Sequence, residues 1–219
     1  MKNPLRIVIV GASGKMGQVL IKQISNNPDL LLTGAIDQAS CPTLGMDAGA
    51  LFGIKTDVII NDDFELIIKK GDYVIDFTRP EASMCYLEVA LKNNIKYVLG
   101  TTGFSDQEKE KISLASKKIP ICFAPNMSVG VNLLVSLVEA ATKVLQKDYD
   151  MEIIESHHSE KIDAPSGTAL RLGEAIAKTA NLKLKENGVF HREGKMSKRK
   201  KNEIGFSTIR GGDIVGDHT

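Results

Sequence analysis

Three things are scarce in this 219-residue chain, and each scarcity removes a class of protein. Cysteine is the first. Cys41, Cys85 and Cys122 are odd in number and lack metal-ligand spacing, so a cytoplasmic protein with reduced thiols is expected rather than a disulfide framework or a zinc module. Excess charge is the second: 28 Lys and Arg against 27 Asp and Glu leave a net charge of +1, and nothing overall calls for nucleic acid or an anionic membrane. Long apolar runs are the third. None reaches membrane-spanning length, and MKNP leads into the first strand without the apolar core of a signal peptide. Internal repeats and low-complexity linkers are missing as well. What remains, 42% hydrophobic and 25% charged, is the composition of a globular protein with enough chain for one large domain or two small ones.

The front of the chain alternates strand and helix signals. LRIVIV at 5–10 is a β-branched run broken by Gly11, Gly14 and Gly17 before the helical pattern of Val19, Leu20 and Ile24. Glycines at a strand-to-helix turn let the backbone approach a pyrophosphate, whose charge the helix N-terminus stabilises. The spacing is G-x-x-G-x-x-G rather than G-x-G-x-x-G, and glycine turns punctuate many folds. The next strand, 30–36, strengthens the signal because it ends on Asp37, where a dinucleotide-binding unit sets a carboxylate against the adenosine ribose. The plainer role for Asp37 is that of a turn residue. An acid there favours the free 2′-hydroxyl of NAD, and Gln38 brings no charge for a 2′-phosphate, although Lys15 could.

Further strands are expected at 58–60, 73–77, 96–99 and 120–124, with helices at 81–92 and from Ser105, whose Glu108 completes a capping box. The fold class is therefore α/β, a Rossmann-like doubly wound parallel sheet, followed by a smaller α+β domain. Strand ends in such sheets carry cofactors, and here they carry FTRP at 77–80, GTTG at 100–103 and APNM at 124–127. Ser128 caps an apolar helix over 129–145. We set the domain boundary there, with 1–127 as the dinucleotide-binding domain, 128–219 as the substrate-binding domain, and 126–128 as a hinge.

The densest chemistry lies at 155–169, ESHHSEKIDAPSGTA. A strand from 151 ends on the histidine pair, and Ser166 caps a helix whose first free N–H groups fall at Gly167 and Thr168, an anion seat. His157 and Lys161 stand just upstream, two proton carriers suited to acid/base work on an anionic substrate. The plainer alternative is a pair of ordinary histidines and a solvated lysine. Neighbouring strand residues point to opposite faces, so His157 and His158 do not readily share an ion and no metal site is expected. Two closing strands are expected near 204–209 and 214–218. Between them and the helix, 181–203 holds eight Lys and Arg against three Glu. Without interleaved aromatics it reads as a solvated loop rather than a nucleic-acid surface.

Taken together, ESHH-x2-KIDAPSGT at 155–168, DFTRP at 76–80, GTTGF at 100–104, NMSVGVN at 126–132 and GDIVGDH at 212–218 resemble the 4-hydroxy-tetrahydrodipicolinate reductases, also called dihydrodipicolinate reductases, of lysine and diaminopimelate synthesis. The resemblance implies His157 as the acid/base histidine, Lys161 as the proton donor, and His158, Gly167 and Thr168 as holders of the substrate carboxylates. It implies Gly11, Ala12, Ser13, Gly14, Lys15, Met16, Asp37, Gly100, Thr101, Thr102, Ala124, Pro125, Asn126 and Met127 as holders of NADH or NADPH. A small dicarboxylate substrate and a homotetramer of the full-length family follow from it too.

Two departures stand out. Many family members carry a basic residue where this chain has Gln38, so NADH is expected to serve at least as well as NADPH. Members also run about fifty residues beyond the equivalent of Thr219, so a fragment with an unfinished sheet edge is expected. The competing readings are another amino-acid-pathway dehydrogenase with the same front half, against which the histidine loop argues, and a dinucleotide-binding regulator without catalysis.

Overall fold

The computed structural model describes residues 3–219, which form two compact units dividing between Pro125 and Asn126. In the first unit the elements run β1 (Leu5–Val10), α1 (Lys15–Ser25), β2 (Leu30–Ile36), β3 (Ile60–Asn61), α2 (Phe64–Ile67), β4 (Tyr73–Asp76), α3 (Pro80–Lys92), β5 (Lys96–Leu99), α4 (Asp106–Ala115) and β6 (Ile121–Phe123). The six strands are parallel in the order β3-β2-β1-β4-β5-β6, so the chain winds outward from β1 in both directions. This is the doubly wound sheet that the alternation predicts.

Strand alternation builds a core on each face. Ile7 and Ile9 point into a cluster with Ile21, Ile24, Ala35 and Ile60, while Val8 and Val10 point into one with Val74, Leu87, Leu99 and Ile112. Both faces are covered, which is why β1 reads as a continuous apolar run. The expected strand at 58–60 moves to Ile60–Asn61. Its cause is Asp47, whose carboxylate accepts the N–H groups of Gly49, Thr56 and Asp57 and folds the loop back, so that Ile59 only bridges Asp47. The capping box at Ser105 forms, with Ser105 N donating to Glu108 at 2.7 Å.

The second unit holds α5 (Val129–Leu145), β7 (Met151–His157), α6 (Gly167–Thr179), α7 (Leu184–Asn187), β8 (Gly188–Val189), β9 (Ile204–Arg210) and β10 (Asp217–His218). Its sheet, β10-β7-β9-β8, is mixed: β7 and β8 run parallel to β9, and β10 runs antiparallel to β7. Ile153, Ile204 and Phe206 pack on Ala169, Leu172 and Ile176 of α6, with Leu134 and Val138 of α5 closing the cluster.

The segment 181–203 is largely the solvated loop that its composition predicts, with two short elements and two anchored arginines. It contributes α7 and β8, and both terminal nitrogens of Arg192 reach the Glu152 carboxylate at 2.9 Å. Arg199 adds a pair to Asp150 at 2.9 Å and another to Glu152. The closing strand expected at 214–218 shortens to Asp217–His218. No helix among the described residues is long and apolar enough to cross a membrane.

Candidate active site

In the first unit the predicted residues gather at the carboxyl edge of the sheet, because every strand there points the same way. Gly11 closes the turn after β1 at φ +72°, and Gly14 N donates back to Gly11 O at 3.0 Å. A Cβ on Gly17 would run into Gly11 O and the Ala12 backbone, so glycine is what lets α1 start this close to the turn. Gly14 caps α1 without a side-chain hydrogen bond, leaving the helix N-terminus beside Lys15 and Met16 free of a built-in cap.

Asp37 follows β2 and accepts from Ser13 N at 2.8 Å through Oδ2 and from Gln38 N at 2.8 Å through Oδ1. Each oxygen keeps lone-pair capacity for a hydroxyl of a ligand, so a bare turn plus an acceptor-only carboxylate fits a dinucleotide's pyrophosphate and ribose. Ser13 Oγ also meets Thr43 Oγ1 at 2.5 Å and Cys41 Sγ at 3.1 Å. Those two hydroxyls lower the Cys41 thiol, Ser13 first and Thr43 second.

Gly100, Thr101 and Thr102 follow β5, but Thr101 turns its side chain inward. Its Oγ1 accepts from Thr78 N at 3.0 Å and from Ser83 Oγ at 2.9 Å, leaving only its backbone toward a ligand. Behind it lies a carboxylate for which the sequence suggests no role. Asp76 is 0% exposed and accepts from Thr78 N, Thr78 Oγ1, Thr101 Oγ1 and, at 2.8 Å, Tyr97 OH. Burial, then the Asp76 charge, pushes the Tyr97 phenol well up. Ala124 and Pro125 close this unit.

Asn126 and Met127 belong to the second unit. Asn126 Nδ2 donates to Thr168 Oγ1 at 3.2 Å, and Asn126 Oδ1 accepts from Ser128 N at 2.8 Å, so the predicted hinge residue is tied to the predicted anion seat.

His157 ends β7 and His158 follows it. Ser166 caps α6 by accepting from Ala169 N, and Gly167 and Thr168 open the helix as expected. Nothing lies within 4 Å of where a Gly167 Cβ would stand, so the first residue of the helix has open space on its side-chain side. Lys161 Nζ donates to Asp163 Oδ1 at 2.7 Å. Burial would raise Asp163, but the Lys161 hydrogen bond and charge lower it.

His157 Nδ1 lies 2.6 Å from Glu155 Oε2, and Arg210 Nη1 and Nη2 each donate to one Glu155 oxygen at 2.8 Å. Glu155 is 1% exposed. Burial alone would raise it, but the hydrogen bonds from Arg210, His157 and Ser166 N–H prevail and bring it to about 2. Beyond it, His218 Nε2 meets Ser166 Oγ at 2.8 Å, and burial followed by the nearby His157 lowers the His218 imidazole. Among the described residues no three His, Cys, Asp or Glu side chains gather as metal ligands.

A parallel sheet in this order with a bare glycine turn, followed by an α+β unit, is the architecture of nicotinamide-dependent oxidoreductases. An Agrobacterium radiobacter oxidoreductase in complex with NAD+, L-tartaric acid and magnesium shares this fold at 14% identity, with a TM-score of 0.56 over 80% of this chain and 55% of its own. The chain belongs to the dihydrodipicolinate reductase family: residues 5–127 match the family's N-terminal description and residues 130–219 its C-terminal one.

Among curated relatives, the 4-hydroxy-tetrahydrodipicolinate reductase of Paraburkholderia phymatum is 50% identical, covering 98% of this chain and 81% of its own length. That of Burkholderia pseudomallei is 49% identical with the same coverage. Among solved structures, the dipicolinate-bound dihydrodipicolinate reductase from Paenisporosarcina sp. TG-14 superposes with a TM-score of 0.73 at 26% identity, over 98% of this chain and 82% of its own.

Proposed function

We infer that this chain carries out the NAD(P)H-dependent reduction of 4-hydroxy-tetrahydrodipicolinate to tetrahydrodipicolinate, the step of lysine and diaminopimelate biosynthesis for which its relatives are named. The observation that carries this is the loop from His157 to Thr168, where a histidine oriented by a buried carboxylate and a lysine precede an open helix N-terminus. A dianionic substrate suits that set of donors. One carboxylate meets the N–H groups at Gly167 and Thr168 and the Thr168 hydroxyl, and His158 assists. His157 acts as acid/base.

The 4-hydroxyl of the substrate leaves as water to give the conjugated cyclic imine that is reduced, and Lys161 protonates the carbon beside the one reduced, its ammonium leaving Asp163 to do so. NADH or NADPH, when bound, supplies the hydride. Gly11, Ala12, Ser13, Gly14, Lys15, Met16 and Asp37 hold its phosphates and adenosine ribose, and the backbones of 100–102 and 124–127 hold the rest. Residues 1–127 thus serve the dinucleotide and 128–219 the substrate. With this activity go a cytoplasmic location, a small dicarboxylate partner and, for full-length family members, a homotetramer.

The test is loss of NADH absorbance when the purified chain meets freshly generated imine substrate. Lys161→Ala should lower kcat by about 10²- to 10⁴-fold while leaving coenzyme binding nearly unchanged, and unaltered turnover would overturn the assignment. Gln38 beside Asp37 predicts kcat/KM for NADH at least equal to that for NADPH. A preference for NADPH would refute that part alone.

A further inference from the structure

His157 and Glu155 lie two residues apart on β7, on one face of the strand, and the neighbouring strand pairs Arg210 directly with His157. Arg210 forks across both Glu155 oxygens, and Ser166 N–H adds a third partner at 3.0 Å. A carboxylate held this way accepts and does not donate. The proton in the 2.6 Å contact therefore belongs to His157 Nδ1, which leaves Nε2 as the nitrogen free to exchange a proton. The loop after β9 guards that edge of the ring. A Cβ on Gly216, at φ +152°, would stand 2.9 Å from His157 Nε2 and 3.0 Å from Cδ2, so any other residue there would press on the working nitrogen.

We propose that Glu155, clamped by Arg210, is the positioning residue of His157: it fixes the Nδ1–H tautomer and presents Nε2 to the reacting dicarboxylate. This rests on the function inferred above. Lys161 is paired with Asp163, whose backbone carbonyl also accepts from Arg210, so the same guanidinium braces the loop that carries the second proton carrier.

Long-range proton–nitrogen NMR of the ¹⁵N-labelled chain in alkaline buffer reads the tautomer without any turnover. His157 is expected to be protonated at Nδ1 with Nε2 bare, and an Nε2–H form in the wild type would overturn the proposal. In kinetics, Glu155→Gln should lower kcat about 10- to 100-fold with both KM values changed less than about twofold. Added to His157→Gln, it should cost nothing further, whereas losses that multiply would mark an independent, structural effect and sink the idea.

Arg210→Lys, which keeps the charge and loses the fork, should lower kcat in the same pattern to a smaller extent. Unchanged kcat in that variant contradicts the proposal even if Glu155→Gln does not fold. A chain that shows the Nδ1–H tautomer but never reduces the imine would refute the functional reading and leave the positioning intact. Reduction with an Nε2–H histidine would do the reverse.

Discussion

Each unit buries one carboxylate near the carboxyl end of a strand, and the two are satisfied by opposite means. Asp76 is met by one backbone N–H and three hydroxyls, all neutral. Glu155 is met by an arginine fork, a histidine and one N–H. Neutral hydroxyls tie together the loops after β4 and β5 without moving charge. A guanidinium keeps its partner ionised in a buried place, and that ion can then orient a neighbouring imidazole. The first arrangement ties loops together, and the second holds a histidine ring against a buried ion.

The largest effect should come from breaking the charged pair. Arg210→Met leaves Glu155 buried without its counter-charge and should cost about 3–5 kcal/mol in urea unfolding. If Asp76→Asn cost as much, the contrast between the two sites would collapse. We expect about 1–3 kcal/mol there, since one hydroxyl or N–H loses its acceptor but no charge is stranded.

Acid sharpens the same contrast. Glu155 goes from the ordinary 4.5 in the unfolded chain to about 2 in the folded one, so its stabilisation is complete above 4.5 and is lost as pH falls toward 2. Unfolding free energies measured across that window should show a shallower acid slope in Glu155→Gln than in the wild type. Smallest of all, Ser105→Ala removes a cap far from either carboxylate and should cost about 1 kcal/mol by thermal unfolding.

What could be read from the residues was local. Parallel strands buried on both faces appear as short β-branched runs, and the caps at Ser105, Ser128 and Ser166 join residues three apart, so the sheet and most helix starts were legible. The four-residue α7 and two-residue β8 are too short to show a period. Nor does charge along the chain reveal that Arg192 and Arg199 close on Glu152, some forty residues away.

The candidate site divides in the same way. His157, Lys161, Gly167 and Thr168 stand out by type and spacing within one loop. Glu155 was visible but carried no role, because its partner Arg210 is 55 residues downstream and only the pairing of β7 with β9 brings them together. Asp76 was equally mute without Thr101 and Tyr97 beside it.

That separation also sets an order of events during synthesis. Glu155 on β7 has no guanidinium partner until Arg210, at the end of β9, has been made after α6, α7 and β8. Docking of β9, a parallel neighbour distant in sequence, is what brings the counter-charge to Glu155. β9 thus completes the core of the second unit, through Ile204 and Phe206, and the pairing of Glu155 together, and a chain in which it fails to dock lacks both.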